Sequence, residues 1–153
     1  MNVKIIAIGN PIMMDDGVGI SAVKELEEWL TKKEIEIIIG ETDMDYCMDY
    51  ISDGDFIIII DATNLGYEPC HVTTCPIREL DDDYRSGYSQ HEMSILKGLT
   101  LYGKKVEGYF IGIEINTIEY GCELSDILQR RFMCICEDVK KEINKILRGS
   151  INA

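Results

Sequence analysis

The stretch Val3-Lys4-Ile5-Ile6-Ala7-Ile8, followed by Gly9-Asn10-Pro11-Ile12-Met13-Met14-Asp15-Asp16-Gly17-Val18-Gly19, decides the reading of the fold. A short apolar run rich in β-branched residues and closed by a glycine predicts a buried strand. The loop that follows is bounded by glycines, carries an adjacent acidic pair and leads into residues of helical spacing. Strand, loop and helix thus follow in the order of a βα unit. An acidic pair at such a helix start suits a cation and repels a phosphate.

Working outward, Val18, Ala22, Val23, Leu26, Trp29 and Leu30 recur at the spacing of one amphipathic helix, with Lys24, Glu25, Glu27 and Glu28 on its other side. Asp15 or Asp16 can cap that helix, and Lys32 and Lys33 suit its C-terminal dipole. Ile35, Ile37, Ile38 and Ile39 form a second strand ended by Gly40, and Phe56-Ile57-Ile58-Ile59-Ile60 a third that stops at Asp61. Residues 44–51 read as a short helix between them. Residues 71–75 and 106–115 are the remaining strand candidates, the latter broken by Gly108 and Gly112. From Ser125 onward, Leu128, Phe132, Ile135, Val139, Ile143 and Ile146 step through a long closing helix. Continuous apolar strands alternating with helices predict an α/β fold whose parallel sheet is covered on both faces. Residues 81–87 read as a flexible surface loop. With no repeat or linker, residues 1–153 read as one domain.

Fifteen Lys and Arg against 28 Asp and Glu give a net charge of −13, which opposes nucleic acid and anionic membranes as partners. No apolar run approaches the roughly 20 residues that span a bilayer, and the N-terminal apolar stretch is shorter than a signal peptide core. A cytoplasmic protein is expected. The six cysteines contain no CxxC pair, and reduced, packed thiols are expected of them.

Ligands of a parallel sheet bind beyond the carboxyl ends of its strands. Asp16 leaves the first strand there and Asp61 ends the third, so the two carboxylates share one crevice if those strands are neighbours. His91, one of two histidines, falls in Ser89-Gln90-His91-Glu92, a capping-box pattern that puts it in the first turn of a helix over residues 92–102. The positive end of that helix disfavours imidazolium and leaves a lone pair for a metal. Two carboxylates and one imidazole suit a borderline divalent ion such as nickel or zinc. Each residue also has a plainer reading: a helix cap for Asp15 or Asp16, a turn for Asp61, a polar helix start for His91. His71, in a strand beside Cys70, reads as structural. No GxGxxG follows the first strand, and neither a P-loop nor a GxSxG elbow occurs.

With these segments in place, the chain resembles the nickel-iron hydrogenase maturation endopeptidases. The glycine loop through Asp15-Asp16-Gly17-Val18-Gly19, Asp61-Ala62-Thr63 after the isoleucine strand, Gln90-His91, and Gly112-Ile113-Glu114 carry the resemblance, in order, over nearly the whole chain. It implies a three-layer α/β sandwich around a central, mostly parallel five-stranded sheet. It also implies a metal-contacting and catalytic triad, Asp16, Asp61 and His91, with Asp15 a loop or cap residue. The implied reaction is removal of the C-terminal peptide of the hydrogenase large subunit precursor. The implied metal is nickel supplied by that substrate, with other divalent ions able to occupy the site in vitro. A monomer is expected, and a non-catalytic metal-sensing chaperone of the same precursor is the alternative. The chain departs from many relatives at Glu114-Ile115-Asn116, where a proline is common, and at Gly40-Glu41-Thr42-Asp43, where a glycine-rich turn is common.

Overall fold

The computed structural model describes residues 2–80 and 90–152, with the side chains of 90–94 and 150–152 outside the description. The expected loop over 81–87 and the capping residue Ser89 therefore lie outside the described residues. Five strands, β1 (Val3–Ile8), β2 (Glu36–Glu41), β3 (Phe56–Thr63), β4 (Val72–Pro76) and β5 (Glu107–Glu114), form one sheet in the order β2-β1-β3-β5-β4. β1, β2, β3 and β5 run parallel, and β4 closes one edge antiparallel to β5.

Helices cover both faces, as an α/β sandwich requires. α1 (Val18–Glu25), α2 (Glu27–Lys32), α5 (Asp126–Arg130) and α6 (Phe132–Asn152) lie on one side, and α3 (Met44–Asp49) and α4 (Gln90–Leu101) on the other. The period of two in a strand sorts the isoleucine run between the faces. Ile58 and Ile60 pack with Val18, Val23, Leu128, Val139 and Ile143, whereas Ile57 and Ile59 pack with Met48, Ile95, Leu99 and Phe110. All eight residues of β3 are buried, which accounts for an apolar run with no polar alternation. Each fully buried isoleucine contributes about 1.5–3 kcal/mol relative to exposure.

Four local expectations are corrected. The single helix expected over Val18 to Leu30 is kinked at Leu26, although Leu26 and Leu30 keep their N–H bonds to Ala22 and Leu26, at 3.0 and 2.9 Å. The closing helix is kinked at Arg131 in the same way, with Ile135 N still donating to the Arg131 carbonyl at 2.9 Å. β3 does not stop at Asp61 but continues to Thr63, pairing Asp61 with Gly112. β5 is not broken by its glycines either. They are sites of close approach: a Cβ on Gly108 would lie 1.7 Å from the Ile57 carbonyl oxygen, and one on Gly112 would lie 2.3 Å from Thr63 Cγ2. Gly108 also holds φ of +154°, which L side chains rarely adopt. Gly108→Ala should therefore cost about 2–4 kcal/mol in chemical denaturation, the scale of backbone strain added to overpacking. A loss under ~1 kcal/mol would show that β3 and β5 can part locally without penalty.

Among the described residues no helix is long and apolar enough to cross a membrane. Cys70 belongs to one face's core and Cys75 packs against the other's. All six cysteines are free. Burial, reinforced by Asp43, pushes the Cys47 thiol up to about 11. Burial, with Glu25 and Glu137 adding to it, does the same for Cys136. Thiols held protonated in this way are packing groups, not ready metal ligands.

Candidate functional site

The parallel pairing of β1 with β3, with Ala7 opposite Ile60, brings the first βα loop beside Asp61. The chain leaves β1 through Gly9, whose φ of +137° favours glycine strongly. A Cβ on Gly9 would lie 2.2 Å from the Asp16 carbonyl oxygen and 3.3 Å from Asp61 Oδ1. One glycine is thus flanked by the backbone of Asp16 and the carboxylate of Asp61. The loop closes on itself: Asn10 N donates to Asp16 Oδ2 at 2.8 Å, and Ile12 N to Asn10 Oδ1 at 3.2 Å. Asp61 is fully buried and its Oδ1 accepts from Ala62 N at 2.7 Å. Asp16, half-buried, is the more accessible of the two.

Neither member of the acidic pair caps α1. A 3-10 turn over Met14–Gly17 precedes the helix, Gly17 occupies its cap position, and no side chain bonds there. Asp15 turns inward instead. It is fully buried, and its Oδ2 accepts from Asn116 N at 2.9 Å, Thr117 N at 2.8 Å and Ser125 Oγ at 2.7 Å, while Oδ1 accepts from Ser125 N at 2.7 Å. The adjacent Met14 has φ of +48°, a left-handed conformation that costs a non-glycine residue about 1–3 kcal/mol. Its N–H donates to the Gly121 carbonyl at 2.8 Å, so the loop after β5 holds the strained residue in place.

Glu114 is a third buried carboxylate at the same edge of the sheet, after Asp61 and Asp15. It accepts from Thr63 Oγ1, from Leu65 N and from Gly66 N at 2.8–3.0 Å, fixing the segment that follows Asp61. Sequence reasoning did not find the roles of Asp15 and Glu114. The available signal, for Glu114 alone, was a carboxylate closing an otherwise apolar strand, which must meet donors once buried.

His91 lies in the first turn of α4, and its side chain lies outside the described residues. The C-terminal end of α4 leads to Lys105, whose N–H donates to Asp53 Oδ1 and whose carbonyl accepts from Gly54 N ahead of β3. That end therefore lies at the amino edge of the sheet, and the first turn points to the carboxyl edge, where Asp16 and Asp61 stand. Among the described residues no group of three or more His, Cys, Asp or Glu could hold a metal ion. His71 precedes β4 instead of lying within it, with its ring 4.6 Å from that of Tyr67 and its carbonyl accepting from Glu114 N.

The two departures from the family pattern are structured. Ile115 donates its N–H to the Thr63 carbonyl at 3.0 Å, a bond no proline can make at that position. In the other segment, Asp43 Oδ1 caps α3 by accepting from Tyr46 N at 3.0 Å, and the Glu41 carbonyl accepts from Gly9 N at 2.9 Å.

Fold and site together define an α/β protein with an open, mostly parallel sheet and an acidic crest where β1 and β3 end. A family model, HycI: Hydrogenase maturation protease, matches residues 20–145, and the chain belongs to that family. The [NiFe] hydrogenase maturation protease HybD from Thermococcus kodakarensis superposes with a TM-score of 0.74 at 30% identity, covering 92% of this chain and 98% of that one. The hydrogenase maturating endopeptidase HybD from E. coli shares the fold, with a TM-score of 0.72 at 18% identity, covering 95% of this chain and 93% of that one. The hydrogenase expression/formation protein HupD of Thiocapsa roseopersicina is 28% identical over 68 residues, 44% of this chain. That match spans 31% of the relative's length.

Proposed function

We propose that this maturation protease is an endopeptidase that removes the C-terminal peptide of a nickel-loaded hydrogenase large subunit precursor. The observation that carries the reading is the meeting of the Asp16 backbone and the Asp61 carboxylate at Gly9, at the carboxyl edge of the sheet, with the Asp16 carboxylate bonded to the next residue's N–H at Asn10. Hard carboxylate oxygens with one imidazole match a borderline divalent ion, and the nickel belongs to the substrate. Asp16, Asp61 and His91 complete its coordination and hold the adjoining peptide in register. A divalent ion so held polarises a carbonyl or acidifies water. Asp16, the more accessible carboxylate, takes the proton from the attacking water, and buried Asp61 keeps its orientation through the Ala62 N–H.

Intact-mass measurement of the precursor, incubated with the protease, tests this reading. Nickel-loaded precursor should lose its C-terminal peptide, and nickel-free precursor should be cut at least about 100-fold more slowly, the scale of several kcal/mol of lost charge stabilisation. A precursor that keeps its full mass while forming a stable complex would instead identify a metal-sensing chaperone.

A further inference from the structure

We infer that Asp15 is a positioning residue for the reaction, latching the loop after β5 to the glycine loop and so fixing where the Asp16 carboxylate stands. The inference rests on the proposed role of Asp16 and adds to it a division of labour within the acidic pair. Asp16 is only half-buried, while Asp15, its neighbour, is fully buried. All four of the donors that Asp15 accepts from belong to residues 116–125, a hundred or more positions along the chain. Both of its oxygens are used, so it holds the start of the post-β5 loop and the entry to α5 with one side chain.

Backbone bonds extend the latch on either side. Asp15 N donates to the Thr117 carbonyl at 3.2 Å, Met14 N to Gly121 at 2.8 Å, and Gly121 N returns to Ile12 at 2.9 Å. Between these ties Met14 is kept in a left-handed conformation that its side chain disfavours. Strain of this kind persists only while the surroundings enforce it. Released from the latch, the turn at residues 14–17 relaxes. Asp16 follows, because the bond between Asn10 N and Asp16 Oδ2 depends on the curvature of that same loop. The carboxylate would then leave its place on the Asn10 N–H, next to Gly9 in the chain, although nothing at Asp16 or Asp61 had been altered.

Asp15→Asn keeps the shape of the side chain but turns an amide N–H toward a backbone donor, either at Ser125 or at Asn116 and Thr117. Ser125→Ala is the milder variant, removing the Oγ bond and leaving three of the four contacts. Two measurements are made on each full-length variant: cleavage kinetics on nickel-loaded precursor, and amide exchange by NMR. In Asp15→Asn, kcat should fall by about 10–100-fold, the usual effect of losing a residue that orients a metal-contacting group. KM should stay within about threefold, because the surface that receives the rest of the substrate is untouched. Exchange at the Asn10 amide should rise at least about tenfold while the Ile58 amide, in the centre of β3, is unchanged. Ser125→Ala should move both readouts the same way by less, and it decides the matter if Asp15→Asn does not fold. Wild-type kcat in a folded variant, or Asn10 exchange that stays at the wild-type level whatever happens to kcat, overturns the inference. The Asn10 readout does not depend on cleavage, so the latch and the proposed peptidase activity can fail separately.

Discussion

Asp16→Asn and Asp61→Asn should each reduce cleavage of nickel-loaded precursor by about 10²–10⁴-fold, the range associated with losing a positioned acid or base. The amide is the informative replacement because it preserves what each side chain does for the fold. An asparagine at position 16 still offers an oxygen to Asn10 N, and one at position 61 still offers an oxygen to Ala62 N. The negative charge is lost, together with the second oxygen's capacity to bind a cation. Stability should accordingly stay within about 1 kcal/mol for Asp16→Asn, whose side chain is half-exposed. The double variant should be little worse than either single one, since residues that act as a unit are not additive. Cleavage followed by intact mass, alongside thermal melts, checks all of this. Retention of activity within about tenfold of wild type in a folded Asp16→Asn protein would remove Asp16 from the chemistry.

What the sequence shows of this arrangement and what it hides have separate physical causes. The run Ile57-Ile58-Ile59-Ile60 is legible because only a strand covered on both faces uses four consecutive β-branched residues, and the two cores divide it as that pattern requires. The glycine loop is legible because its backbone passes so close to Asp16 and Asp61 that no Cβ fits at Gly9. Gly108 is misread because a glycine that breaks a strand and one that admits a neighbouring carbonyl are identical in a one-dimensional pattern. The kinks at Leu26 and Arg131 preserve the spacing of the buried residues, so periodicity does not register them. Asp15 and Glu114 are harder. Their partners are mainly backbone N–H groups 48–110 positions away, and a backbone donor leaves no residue-type signature. Composition thus marks the carboxylates, but only the fold separates Asp15 and Glu114, which brace the loops, from Asp16 and Asp61 where β1 and β3 end.

At the opposite edge of the sheet, Lys4→Met should destabilise the protein by about 3–5 kcal/mol, the cost of leaving one partner of a buried ion pair uncompensated. Lys4 Nζ lies 2.8 Å from Asp55 Oδ2, with side-chain exposures of 11% and 4%, and it also donates to the Tyr50 carbonyl at 2.6 Å. Asp55 in turn accepts from Ser52 N at 2.8 Å, so the pair secures the whole turn that carries the chain into β3. Burial alone pushes the Asp55 carboxyl up, but the bonds from Lys4 and Ser52 and the charges of Lys4 and Lys104 outweigh it and hold the group below its ordinary range. A depressed folded-state value means that this contribution is present above the unfolded carboxylate value of about 3.9 and is lost as pH falls through the lower, folded value. For a chain of this length the loss in Lys4→Met corresponds to a fall in Tm of about 6–20 °C near neutral pH. It should narrow in acid, where wild-type Asp55 is itself protonated. Lys4→Met combined with Asp55→Leu should recover most of the difference, because an apolar pair replaces the charges together. If Lys4→Met alone melts within about 2 °C of wild type at pH 7, the pair contributes no more than an exposed one, and the turn before β3 must be held by its backbone bonds.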